Sequence, residues 1–345
     1  MTRRAVRTAL SALLDDAPPS SGAGPLGPLV LVGCSGGTDS LALAAAAAAQ
    51  ARALGVRVGA IVVDHGLQDG SADVAARAAR QCADLGLDPV EVVRVAVPTD
   101  SGEGPEGAAR GARHAAFDEA AERHGALAVL LAHTRDDQAE QVLLGLARGS
   151  GARSLAGMPA RRGAIVRPFL AVTRAETEAA CAAWGLEPWR DPHNADPGYR
   201  RVRVRQALAA LEDDLGPGLA AALARTADLL RVDTDHLEAL ADDALAALGP
   251  TGEGRVRSVP VAALATLPEA VRSRVWRRLL ISAGAPAGSL SAAHVTACDG
   301  LLVRWRGQGP IDVPGPLHVA RSGGAVVIGD RGLPSPGVQH LPASG

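Results

Sequence analysis

The chain is organised as short apolar-rich runs separated by longer stretches of helical period. Leu29–Gly33, Val56–Val63, Val90–Val97, Leu127–Ala132 and Ile165–Phe169 are the apolar runs, interrupted only by isolated charges such as Arg57. Runs of this kind belong to strands covered on both faces, as in a parallel sheet. Between them, Leu41–Leu54, Ser71–Leu85, Pro105–His124 and Asp136–Leu146 read as helices. Thr173-x-x-Glu176 has the form of a capping box opening a further helix that runs to about Trp184. Strand and helix in alternation predict an α/β fold, a doubly wound parallel sheet that receives ligands at the carboxyl ends of its strands.

From about Asp191 the rhythm changes. DPHNADPGY is a turn-rich linker, and Arg200, Arg201, Arg203 and Arg205 follow in a basic run. Helical periodicity continues through Leu211–Leu248 and Val261–Ala283, the latter carrying Arg272, Arg274, Arg277 and Arg278. Pro310–Val313, Leu317–Ala320 and Ala325–Ile328 are short strand candidates. The expected organisation is therefore an α/β domain over 1–195, a smaller, mainly helical domain over 196–330, and a loose tail over 331–345.

Composition narrows the function. Of the 345 residues 47% are hydrophobic but only 2% aromatic, so the core is made of Ala, Val and Leu and base stacking on an aromatic platform is disfavoured. A net charge of −2 argues against a general nucleic-acid coat and leaves room for local basic patches. Cys34, Cys82, Cys181 and Cys298 form no C-x-x-C pair, which suggests neither a zinc site nor a disulfide framework and points to a reduced, cytoplasmic setting. The start, MTRRAVRTALSALL, reads as a short amphipathic helix rather than a signal peptide, and no run approaches the roughly 20 apolar residues that span a bilayer.

The chemistry centres on VLVGCSGGTDS, Val30 to Ser40, a strand that breaks into a Gly/Ser loop and opens a helix. Gly36 and Gly37 permit backbone conformations closed to other residues, so successive N–H groups can face one anion, and Ser35, Thr38 and Ser40 add hydroxyls. Neither G-x-x-x-x-G-K-[ST] nor G-x-G-x-x-G is present, and the chain contains no Lys at all. Two further strand ends carry polar residues at the same edge: Val63-Asp64-His65-Gly66-Leu67, and His133 through Glu140, HTRDDQAE. Arg110, Arg113 and Phe117 fall at i, i+3 and i+7 of one helix, so the two arginines can flank an anionic ligand or lie on a solvated face.

S-G-G-T-D-S matches the SGGxDS signature of the PP-loop ATP pyrophosphatases, which cleave ATP between its α- and β-phosphates. With VDHGL at 63–67, Arg110 and Arg113, HTRDDQAE at 133–140, Arg148-Gly149-Ser150-Gly151, Arg167-Pro168-Phe169 and Trp189 to Asn194, most of the first 205 residues resembles the tRNA(Ile)-lysidine synthetase family. Gln141, His114 and His193 depart from that pattern without removing an acid, a loop residue or an Arg. The resemblance implies ATP-dependent adenylation of the wobble cytidine in the CAU anticodon of isoleucine tRNA, followed by displacement of AMP by the amine of free L-lysine. It leaves the oligomeric state open.

On this reading Ser35, Gly36, Gly37, Thr38, Asp39 and Ser40 cradle the phosphates of ATP, and Asp64 and His65 meet its adenosine. Asp39, Asp136 and Asp137 are the Mg²⁺ ligands, with Asp137 also readable as the acid of a capping box begun by Thr134. Asp39, Arg113 and Asp137 are the catalytic candidates, and Arg110, Arg113, His133 and Arg205 the substrate-binding ones. His133 either contacts nucleotide or orients the acidic turn. A PP-loop tRNA thiolase and a noncatalytic nucleotide-binding regulator are the alternatives; the first lacks a cysteine pair, and the second has no need of the acids at 136 and 137.

Overall fold

The structure, a computed structural model, describes residues 1–16, 27–64, 66, 70–96, 104–149 and 151–331. His65, Leu67, Ser150 and the tail expected beyond Arg331 lie outside the described residues. The chain forms two compact units, Met1–Arg231 and Val232–Gly345.

The first unit opens with α1 (Thr2–Asp15), whose buried stripe of Val6, Leu10 and Leu13 shows the predicted amphipathic pattern. There follow β1 (Leu29–Gly33), α2 (Thr38–Leu54), β2 (Arg57–Asp64), α3 (Ser71–Asp84), β3 (Val90–Arg94), α4 (Gly104–His124), β4 (Ala128–Leu130), α5 (Arg135–Ala147) and α6 (Ala152–Leu155). A small hairpin, β5 (Arg161–Arg162) and β6 (Ile165–Val166), precedes α7 (Arg174–Ala183) and α8 (Arg200–Leu215). The sheet order is β3-β2-β1-β4-β6-β5, parallel except for the edge pair β5 and β6. Chain order reverses between β1 and β4, so the switch point, where doubly wound sheets bind ligands, lies at the end of β1.

Strand alternation sorts the core into two layers. Val30, Val32, Ala128, Leu130 and Val166 pack on one face with α1 and α2, whereas Leu29, Leu31, Val129, Leu131 and Ile165 pack on the other with Phe117, Ala120 and Ala121 of α4. Helix α2 buries eight successive residues from Ser40 to Ala47, which suits its Ala-rich sequence: small side chains let the helix sit deep against its neighbours. The turn-rich linker at 191–199 does not end this unit. Helix α8 packs against α5, and compact packing continues to Arg231.

Helix α9 (Leu219–Leu248) carries the chain into the second unit. There β7 (Arg257–Pro260), α10 (Val261–Ala265), α11 (Glu269–Ser282), α12 (Ala292–Val303), β8 (Ile311–Val313), β9 (Leu317–Ser322) and β10 (Ala325–Asp330) follow in order. The last three strands stand where the sequence placed them, and β7 completes a four-stranded antiparallel sheet in the order β7-β10-β9-β8. Trp276 anchors the core of this unit at zero exposure. Strand β7 was not anticipated because RSVP is short, polar and closed by proline; it is held as an edge strand by pairing with Ala325–Ile328.

Candidate active site

The loop between β1 and α2 is shaped by two glycines and tied by one serine. Gly33, the last residue of β1, has no room for a side chain: a β-carbon there would stand 2.6 Å from Leu131 and 2.8 Å from Phe117. Gly36 has φ +78°, a left-handed conformation that only glycine adopts at little cost. The Ser40 hydroxyl accepts from Ser35 N–H at 3.1 Å and donates to the Gly37 carbonyl at 2.9 Å. Ser40 therefore holds the loop in shape and is buried, whereas Ser35 is exposed and Gly37 and Thr38 are half-buried. Trp189 N–H donates to the Gly36 carbonyl at 2.9 Å, which brings the Trp189–Asn194 motif onto the loop.

On one side of this loop lies an acidic cluster threaded by an arginine that sequence reading did not single out. Arg174, the first residue of α7, donates from its backbone N–H to Asp136 Oδ2 at 2.9 Å and from its guanidinium to Asp137 Oδ1 at 3.2 Å. The same guanidinium stands 3.8 Å from Asp39 and 3.8 Å from Glu140. Thr177 hydrogen-bonds Asp39 Oδ1 one turn further along α7. The three expected acids do converge, with Glu140 as a fourth. Burial raises the pKa of Asp39, assisted by the carboxylates of Asp137 and Asp136 and opposed by Thr177 and Arg174. Burial opposes the charge of Arg174, but Asp137, Asp39, Glu140 and Asp136 together push its pKa up.

The capping-box reading of Asp137 is realised. Its Oδ2 accepts from Thr134 N–H at 2.8 Å while Thr134 Oγ1 accepts from Asp137 N–H at 3.3 Å, a complete capping box, and its Oδ1 faces Arg174. Among the described residues no three His, Cys, Asp or Glu side chains form a ready-made metal cage. Hard oxygen donors grouped beside a phosphate loop still fit Mg²⁺, which is usually held by one or two carboxylates together with substrate phosphates.

The other side of the loop is basic. Arg110, Arg113, Arg167 and Arg201 all act on His133, whose pKa is lowered to about 3, first by burial and then by these four cations. His133 Nδ1 is buried and has no hydrogen-bond partner. His133 is thus a neutral imidazole among arginines. Burial, Arg110, Arg113 and Arg167 lower the pKa of His114 in the same way.

Three further groups have partners within the chain. Asp64, at the end of β2, is buried and accepts from Gly66 N–H at 2.9 Å, so it shapes the turn that follows the strand, while His65 beside it is not described. Arg205 is not turned toward the basic wall: its Nε donates to Glu140 at 2.9 Å, neutralising a carboxylate that is only 4% exposed. The arginines of α11 are consumed within their own unit. Arg272 binds Asp299 at 2.6 Å, Arg274 and Arg278 reach Glu238 at 3.2 and 2.8 Å, and Arg277 donates to the carbonyls of Leu290 and Ala287. Arg174, Thr177 and Glu140 were the residues missed. Glu140 had a signal, since it lies i+4 from Asp136 and i+3 from Asp137 on one helix face.

Comparison with known proteins accounts for this arrangement. Residues 21–212 match the model of the PP-loop domain, and residues 260–327 that of the TilS substrate binding domain. The chain is 52% identical over 326 residues to the tRNA(Ile)-lysidine synthase of Thermobifida fusca, covering 94% of this chain and 96% of that one. It is 53% identical over 308 residues to the protein of that name from Streptomyces coelicolor, covering 88% and 86%. Among solved structures, the U34-tRNA thiolase NcsA from Methanococcus maripaludis shares the fold, with a TM-score of 0.52 at 19% identity over 66% of this chain and 78% of that one. A phosphate loop at the switch point, an acidic wall carrying Asp39, Asp136 and Asp137, and near-full-length identity of about half place the chain in the tRNA(Ile)-lysidine synthase family.

Proposed function

We propose that this chain ligates L-lysine to C2 of the wobble cytidine in the CAU anticodon of isoleucine tRNA, consuming ATP. The observation that carries the reading is an acidic wall of Asp39, Asp136, Asp137 and Glu140 around Arg174 and a basic wall of arginines around His133, both at the strand ends where the phosphate loop lies. Cleavage between the α- and β-phosphates needs donors for the departing pyrophosphate, and the loop amides with Ser35 and Thr38 supply them at the N-terminus of α2. The basic wall suits an RNA anion, and the acidic wall suits cations.

The reaction balances in two steps. The cytidine C2 oxygen attacks the α-phosphorus and pyrophosphate leaves; the amine of lysine then forms the C2–N bond as the C2–O bond breaks and AMP leaves. Asp39, Asp136 and Asp137 would hold Mg²⁺, which when bound spreads the negative charge of the phosphates. The four carboxylates of Asp39, Asp136, Asp137 and Glu140 outnumber the guanidinium groups of Arg174 and Arg205, and the net negative charge that remains is what a lysine ammonium seeks. Lysine, a cation, thereby enters from the wall opposite the RNA.

Residues 1–195 carry the ATP chemistry in this reading and 196–330 contribute tRNA binding, in keeping with the substrate-binding match at 260–327. The described cysteines are all free thiols, as suits the cytoplasm, and no helix among the described residues is long and apolar enough to cross a membrane. The test is incubation with ATP, labelled lysine and isoleucine tRNA bearing CAU, with nucleoside mass spectrometry and AMP measurement. Stoichiometric lysidine and AMP are expected. AMP release without incorporation of lysine would overturn the reading.

A further inference from the structure

Arg167 is buried at 5% exposure, its Nε has no hydrogen-bond partner, and among the described residues no carboxylate pairs with it. Its one side-chain bond runs from Nη1 to the Pro159 carbonyl at 3.0 Å. That carbonyl is fixed, because Gln138 clamps the backbone of neighbouring Met158 with bonds of 2.6 and 3.0 Å. A buried guanidinium held on one carbonyl, with a donor to spare and no counter-ion, is prepared for an anion.

The sheet shows which anion can reach it. Ile165 packs on the α4 face, so Arg167, two residues on, continues along that face past the end of β6. Arg162 stands opposite Ile165 across the β5–β6 hairpin and shares the face, whereas Arg161, opposite Val166, faces the other way and pairs with Asp16 at 2.8 Å. Leu131 and His133 extend β4 in the same sense, Leu131 N–H bonding the Val166 carbonyl at 2.8 Å. Above them Phe117 of α4 sits over Gly33, and Arg113 and Arg110 lie one and two turns further toward the start of the helix, beyond the strand ends. Arg167 also borders an apolar cleft of about 420 Å³ beside α1. Arg110 and Arg162 are nevertheless the cations that, after burial, lower its pKa to about 10.

We infer that Arg167, with Arg110 and Arg162, forms a phosphodiester seat at the carboxyl ends of β4 and β6, fixing one backbone phosphate of the anticodon loop beside the phosphate loop. The inference rests on the proposed function for its RNA. It assigns Arg167 as a positioning residue: the seat lies on the β4 side of the switch point, away from Asp64 at the β2 side where the adenosine is expected. A nucleotide held there by its phosphate places its base over the loop, where the α-phosphate is delivered.

The experiment uses the full chain and an anticodon stem-loop RNA with CAU, binding being measured across a salt series for wild type, Arg167→Met and Arg162→Ser. Loss of one charge-assisted contact should weaken Arg167→Met about tenfold. Its slope of log K against log [salt] should flatten by about 0.7, the value for one single-strand phosphate. ATP affinity should be unchanged. Neutral methylphosphonates placed singly along the loop should reveal one linkage that weakens wild type and leaves Arg167→Met unaffected. If Arg167→Met does not fold, the same linkage should lose its effect in part in Arg162→Ser, whose side chain is exposed. Equal sensitivity of wild type and variants at every linkage would overturn the seat, as would loss of ATP affinity with RNA affinity intact. Lysidine formation by wild type, scored separately, reports on the proposed function and not on the seat.

Discussion

Arg174 and Asp137 face each other at 3.2 Å, joining the start of α7 to the start of α5. Because Asp137 also closes the cap of α5, the arginine fixes an acid whose other oxygen is already committed to the backbone. Charge-assisted bonds of this kind are worth roughly 1.5–3 kcal/mol. Arg174→Met should therefore lower kcat about tenfold or more while the cap keeps α5 folded. KM for lysine should fall or hold, since a competing cation has left the acidic wall, and Arg174→Lys should recover part of kcat. Steady-state kinetics with lysine and ATP varied separately will check this. A rise in KM for lysine with kcat unchanged would show that Arg174 binds substrate directly.

The phosphate loop yields a paired prediction. At Gly36 the backbone is left-handed, and a β-carbon would also meet that of Ala78 at 3.0 Å. Gly36→Ala should cost about 1–2 kcal/mol of loop strain and weaken ATP binding accordingly. Gly37 has φ −77°, and a β-carbon there meets only Ser35 Oγ at an ordinary 3.5 Å. Gly37→Ala should thus leave the melting temperature unchanged. Any loss of ATP affinity in that variant measures close approach of phosphate to the backbone, and calorimetry with ATP separates the two cases.

The pattern of legibility follows from how local each signal is. The loop, the capping boxes at Thr134 and Thr173, and the alternation of strand and helix are written in residues a few positions apart, and they stand in the structure as read. Arg174 looked like an ordinary first-turn residue because its partners, Asp39, Asp136, Asp137 and Glu140, come from two other helices. The partners of the charge runs were hidden for the same reason. Arg205 and the arginines of α11 are dense in sequence, yet their carboxylate and carbonyl partners lie elsewhere in the chain. A count of like charges reveals neither kind of partner.

Glu140 is 4% exposed and depends on Arg205 at 2.9 Å, with Arg174 further off at 3.8 Å. Arg205→Gln strands a buried carboxylate and should destabilise the chain by about 1–3 kcal/mol. Glu140→Gln with Arg205→Gln should cost less than the sum of the two single changes, because the stranded charge is gone. Urea unfolding of all four proteins gives the coupling directly. Strict additivity would mean that the pair contributes nothing beyond its separate packing.

His133 makes stability depend on pH in a definite direction. Its pKa is about 3 in the folded chain against an ordinary value of 6.5, because burial and the cations of Arg167, Arg110, Arg113 and Arg201 disfavour a second proton. Between those values the unfolded chain binds the proton and the folded chain does not. Stability from this residue is therefore complete above pH 6.5 and is lost progressively as pH falls toward 3. The slope is at most about 1.4 kcal/mol per pH unit, so moving from pH 7 to pH 5 should remove about 2 kcal/mol. His114 is shifted in the same sense and adds its own loss. The diagnostic quantity is consequently the difference between wild type and His133→Asn, which keeps a polar atom near the position of Nδ1 and does not titrate. Chemical denaturation at pH 7 and pH 5 should show wild type losing about 2 kcal/mol more than the variant. Equal losses would mean that His133 takes up its proton in the folded state, in which case the basic wall must relax around an imidazolium.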